Sequence, residues 1–90
     1  MSFAVIDVST GVIHGTGDTV AEAAAEAACW CNRESGALLA SAPIYDDASN
    51  IREQSRGWAI VPATESLIDA VIRRGGDVRW RIERGTIELA

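Results

Sequence analysis

The sequence has no lysine: its eight basic residues are all arginine, at positions 33, 52, 56, 73, 74, 79, 81 and 84. It also has only one histidine, two cysteines and two prolines. His14 with Cys29 and Cys31 does not make a metal-ligand set of ordinary spacing, so neither metal nor cofactor is expected. On a helix, Cys29 and Cys31 point about 200° apart and cannot bridge each other. They read as buried thiols of a reducing compartment. No apolar run approaches the roughly 18 residues that cross a bilayer, and no basic stretch leads into an apolar one near the start. The expectation is a protein of the cytoplasm of a bacterial host cell, without membrane contact.

Apolar residues are present in ordinary proportion, 48% hydrophobic against 23% charged, which fits a folded domain and not a disordered segment. Ninety residues make a single domain, 1–90. A chain of that size buries only about 60–65% of its unfolded surface, so nearly every apolar position has to be used. Charge is unevenly placed. Residues 1–50 hold seven acids and one arginine, net −6, and residues 51–90 hold six acids and seven arginines, net +1. A net-acidic chain is a poor general binder of nucleic acid, because phosphate neutralisation dominates that affinity. An acidic face is suited to a basic protein instead, including one that itself binds nucleic acid.

Periodicity predicts a small α+β domain in the order ββαββαββ, a mostly antiparallel sheet with two helices packed on it. Residues 3–15 read as a hairpin about Ser9-Thr10-Gly11. A three-residue loop pairs Val8 with Val12 and Ile6 with His14; a two-residue turn sets Asp7 opposite His14. Thr19 and Glu22 form a capping-box pattern, with Asp18 as the alternative cap, opening a helix over 19–34. Its apolar stripe is Val20, Ala24, Ala27 and Cys31, flanked by Ala23, Ala28 and Trp30, and Gly36 is the expected stop.

Residues 37–42 read as a strand ended by Pro43, and Trp58–Val61 as a strand ended by Pro62. Between them, Asp46 or Asp47 is placed to cap a short helical turn through Ile51 and Gln54. A helix over 64–74 carries the stripe Leu67, Ile68, Val71 and Ile72, with Arg73 and Arg74 in its last turn, where the macrodipole favours them. In residues 77–89, an Arg84-Gly85 turn sets Ile82 opposite Ile87 on one face and Arg81 opposite Glu88 on the other.

Four groups of residues bear on chemistry. Gly15-Thr16-Gly17-Asp18-Thr19 joins strand to helix, yet Asp18 stands where a phosphate would sit, so a turn and cap is the better reading. His14 has no nucleophile near it in sequence, which argues against catalysis. Tyr45, Asp46, Asp47, Arg52 and Arg56 place an aromatic and both signs of charge on an irregular segment, the expected protein-binding site. Arg79, Arg81 and Arg84 on the terminal ribbon are the alternative, a nucleic-acid surface, with Trp80 assigned to the apolar face beside Val78 and Ile82.

Gly17-Asp18-Thr19-Val20-Ala21-Glu22-Ala23, entered from a hairpin and continuing into an alanine-rich helix, resembles the strand-to-helix passage of HicB-type antitoxin domains over residues 15–30. Val12-Ile13-His14-Gly15 stands where that family has a Pro-Gly-Cys-type approach. The resemblance implies a small β/α module that blocks another protein. In profile, though in no residue motif, the chain is also similar to the small acidic anti-CRISPR proteins of phages. The functional expectation is a non-enzymatic inhibitor from a phage or mobile element that occludes a basic or nucleic-acid-binding protein. A nucleic-acid-contacting protein is the second reading and a small enzyme the third; a homodimer is compatible with each.

Overall fold

The computed structural model describes residues 1–90. The chain runs β1 (Ser2–Asp7), β2 (Ile13–Gly17), α1 (Val20–Ala28), α2 (Arg33–Ala40), a 3-10 helix (Ala48–Glu53), β3 (Trp58–Ala63), α3 (Glu65–Arg74), β4 (Trp80–Glu83) and β5 (Thr86–Leu89). One five-stranded sheet has the order β2-β1-β3-β5-β4. Its ladders are antiparallel except β3–β5, a short parallel contact at Ala63 and Ile87. The α+β class stands, with a mixed sheet and more helices than expected.

Helices cover both faces of the sheet, which explains why β3 is buried along its whole length. On one face Val5, Trp58 and Ile60 meet Ala23 and Ala27 of α1, with Leu39 of α2 at the margin. On the other, Ala4, Ile6, Val61 and Ile87 meet Leu67 of α3 and Ile51 of the 3-10 helix. Where α1 meets β2 the first layer is built from small residues. Gly15 and Gly17 of β2 let α1 lie almost on the strand: a Cβ on Gly15 would stand 2.4 Å from the Ala23 carbonyl oxygen, and one on Gly17 would stand 2.7 Å from the Ala23 nitrogen.

Several sequence expectations hold. The Thr19 side chain accepts from the Glu22 N–H at the start of α1, and the helix expected over 64–74 is α3, Glu65–Arg74. The terminal hairpin has the expected register, Ile82 opposite Ile87 and Arg81 opposite Glu88. Its turn residues Arg84 and Gly85 both take positive φ, as a two-residue hairpin of the matching twist requires.

Four expectations are corrected. The helix expected over 19–34 ends at Ala28, where Trp30 and Cys31 donate to carbonyls three residues back in a tightened turn. Residues 37–42 are not a strand, since α2 occupies Arg33–Ala40. Asn32 and Ser35 satisfy each other's backbone N–H groups in a capping box that restarts the helix. Gly36 therefore lies inside α2 rather than stopping α1, and the second helix returns Leu39 and Ala42 to the apolar layer.

The first hairpin takes neither expected register. Val5 pairs with Gly15 and Ile6 with Ile13, so His14 is the extra residue of a bulge. Finally, Pro62 does not end β3. Ile60 donates to the Pro43 carbonyl and Thr64 to that of Ile87. Pro62 falls between them, where the neighbouring segment changes, and its missing N–H breaks no ladder bond.

Candidate functional site

The bulge in β2 turns His14 onto the α1 face, where its ring stacks on Trp58 with centroids 4.1 Å apart and an interplanar angle of 12°. Its Nε2 is buried without a hydrogen-bond partner. Burial pushes the His14 pKa below its usual 6.5, against the opposing pull of the Asp7 carboxylate. Asp7 is itself occupied. Burial works to raise its pKa, but the Ser9 hydroxyl, the N–H groups of Ser9 and Thr10 and the nearby imidazole hold the carboxyl below its usual 3.8.

This gives a pH dependence of defined sign. The native state takes up a proton on His14 less readily than the unfolded chain, so the contribution is full above about pH 6.5. It declines as the pH falls below that value toward the lower native pKa. Urea midpoints should drop between pH 7.5 and pH 5, and His14→Phe, which keeps the stack and cannot titrate, should remove most of the drop. An unchanged slope in that variant would assign the dependence to carboxylates.

Beside His14 lies a cleft of about 620 Å³ lined by Ile13, Glu26, Trp30, Val71, Ile72 and the Gly75-Gly76 pair. It forms because α1 and α3 both end at the β2 edge. Gly76 closes the end of the cleft: its carbonyl accepts the Ile13 N–H at 2.7 Å, and a Cβ there would collide with the Ile13 carbonyl. The rim is apolar and open. Trp30, expected to flank the buried stripe of a longer helix, is 83% exposed because the chain turns there. Ile72, expected on the buried stripe of α3, is 71% exposed. Cys29 is likewise exposed and Cys31 half-buried, with both thiols free.

The expected protein-binding residues form an ordered segment. Asp47 caps the 3-10 helix, accepting from the Ser49 N–H at 2.9 Å and the Ser49 hydroxyl at 2.6 Å. Those bonds, the side-chain one above all, hold its carboxyl below the usual range, with Arg52 adding to the effect. Tyr45 packs its half-buried ring on the α3-side core, and its hydroxyl donates to Gln54. Asp46, Arg52 and Arg56 are exposed. The helix start is fixed to the terminal hairpin turn by Ala48, whose N–H donates to the Gly85 carbonyl at 2.8 Å. The segment thus borders Arg84.

The three ribbon arginines have different surroundings. Arg81 is ion-paired with Glu88 at 2.8 Å, Arg84 sits in the turn, and Arg79 lines a separate hollow of about 440 Å³ with Trp80, Asp77 and Ala90. Trp80 shares the face of Ile82, as expected, and its indole N–H donates to the Gly11 carbonyl at 2.7 Å. Sequence reasoning did not reach the cleft. Its lining comes from residues 13–14, 26–30 and 71–76, three stretches that no local pattern joins.

No helix is long and apolar enough to cross a membrane. No protein-family model matches the chain, and searches of curated proteins and of solved structures find no match.

Proposed function

We propose that the protein is a non-enzymatic binding module whose acidic half docks a basic protein and covers a surface that this partner uses for nucleic acid. The carrying observation is electrostatic. The single ion pair of the molecule, Arg81–Glu88, lies in the terminal hairpin. Asp18, Glu22, Glu26, Glu34 and Asp46 are exposed in the first half and none of them takes part in an ion pair. Unneutralised carboxylates of one sign speed encounter with a basic partner and disfavour wrong ones. A binding role rather than catalysis is supported at His14, whose Nε2 meets no hydroxyl or thiol that it could activate. Occlusion is the mode that the HicB-type resemblance implies.

The test is parallel capture from the native host with two baits, the wild type and Glu34→Arg/Asp46→Arg. Each replacement adds two charges, so the bait changes from net −5 to −1. The wild type should recover a basic, nucleic-acid-binding protein that the reversed bait retains several-fold less well at low salt. Recovery of nucleic acid alone, lost only with Arg79→Ala/Arg84→Ala, would contradict the reading in favour of the ribbon.

A further inference from the structure

We infer that the cleft between the C-terminal ends of α1 and α3 is a socket for one arginine or lysine side chain of a protein partner, with the cation held between the Trp30 ring and the Glu26 carboxylate. The inference rests on the proposed docking of a basic protein and adds where and how the contact is anchored.

Three features of the cleft favour a cation with an alkyl stem. The first is charge. Glu26 is the one carboxylate of the lining. Its Oε1 accepts only a long 3.4 Å bond from the Thr16 hydroxyl, and it takes part in no ion pair. Both helices end here, at Cys29 and Gly75, and α1, which has no basic residue in its last turn, adds the negative end of its macrodipole to the same sign. The second is the aromatic ring. Trp30 gives the strongest cation–π face among the side chains, and it stands four residues from both Glu26 and Glu34 along the chain. The third is the apolar wall of Val71 and Ile72, against which a three- or four-carbon stem can lie.

The nearby cations do not fill this role. Arg73 donates its Nε to the Asp69 carbonyl, folded back along α3, and neither Arg73 nor Arg74 lines the cleft. His14 also lines it, and burial disfavours its charged form. A large exposed tryptophan beside an exposed isoleucine is a surface that a protein partner covers and a small ion would leave wet. That favours a side chain presented by a protein over a free cation.

The experiment is a titration of the isotope-labelled full chain with a hexa-arginine peptide, followed by amide and indole chemical shifts. Saturable shifts are expected at the Trp30 indole and the Gly75 and Gly76 amides, while the indoles of Trp58 and Trp80 stay put. Trp30→Ala should weaken the peptide about tenfold, and Glu26→Gln should weaken it less while flattening the salt dependence. Trp30 is mostly solvated, so its removal leaves the fold intact; an unchanged spectrum elsewhere checks this. Shifts confined to residues 45–56, with full affinity in Trp30→Ala, would overturn the socket and leave the basic-partner reading standing. No shift with the peptide anywhere would overturn both. Free arginine saturating the site as tightly as the peptide would make it a small-cation site and overturn the partner socket.

Discussion

Gly15→Ala should lower the stability of the protein by about 3 kcal/mol, whereas Gly36→Ala should raise it by about 0.5–1 kcal/mol. Both replacements reduce the freedom of the unfolded chain by the same amount, so the difference in sign comes from the native state. At Gly15 the new methyl would meet the Ala23 carbonyl oxygen at 2.4 Å, the Ala27 nitrogen at 2.6 Å and the Ala27 Cβ at 2.8 Å. Two of these are helix backbone, so no rotamer change relieves them. The first helix has to lift from β2 as a body, opening the layer that holds Trp58. Gly36, inside α2, has nothing within 4 Å of the corresponding position, and alanine there improves helix propensity alone. Denaturant midpoints of the two variants decide the matter. A neutral Gly15→Ala would mean that α1 is not seated on the strand as described.

Trp58→Ala should cost about 4 kcal/mol, a large share of the roughly 5–13 kcal/mol available to a domain of this size. Trp58 is the one large aromatic among the buried residues of its layer, where it meets Val5, Ala23, Ala27 and Ile60. The alanines of α1 have no side-chain length with which to refill the space, so the cavity persists and the transfer loss is not recovered. The variant also removes the ring that His14 stacks upon. Its His14 resonances should then titrate nearer the usual value, because the imidazole gains solvent. Urea denaturation and a histidine titration by NMR test the two halves separately. A loss under about 1.5 kcal/mol would show that the layer collapses around the gap.

Much of this architecture is written in local pattern. The terminal hairpin is legible because its two faces independently specify one register, apolar with apolar and Arg81 with Glu88. The third helix is legible from its stripe of Leu67, Ile68, Val71 and Ile72 and from Arg73 and Arg74 in its last turn. Of the two caps the sequence offers for the short helix, Asp46 and Asp47, the helix that opens at Ala48 uses Asp47. The second helix was not legible, for a physical reason. Leu38 and Leu39 with their alanine neighbours form a short apolar run that suits a strand or a buried helix equally. The Asn32–Ser35 capping box gains meaning only once the turn at Trp30 is known. The bulge at His14 and the parallel contact of Ala63 with Ile87 depend on tertiary packing, which periodicity does not encode.

The candidate site divides in the same way. Acid excess in the first half is a property of composition and could be read directly. The 45–56 segment was expected as a binding loop, and it is a capped turn with Tyr45 turned toward the core and Asp46 turned outward. The cleft could not be read, because three distant stretches of chain build it. The local pattern misleads there: it sets Ile72 on an apolar helix stripe and Trp30 beside one, and the structure exposes both. Trp30 and Ile72 are two large apolar side chains left in solvent by the ends of two helices.

The most direct measurement is the association and dissociation of the captured basic partner with immobilised wild type, Glu34→Arg/Asp46→Arg and Trp30→Ala, each at low and at physiological salt. The charge-reversed variant should associate about tenfold more slowly at low salt, with the difference shrinking as salt screens the carboxylates. Trp30→Ala should associate normally and dissociate about 30-fold faster, as loss of a central aromatic anchor does. Equal rates for all three proteins at both salt concentrations would contradict the account, because neither the acidic half nor the exposed tryptophan would then contribute to recognition.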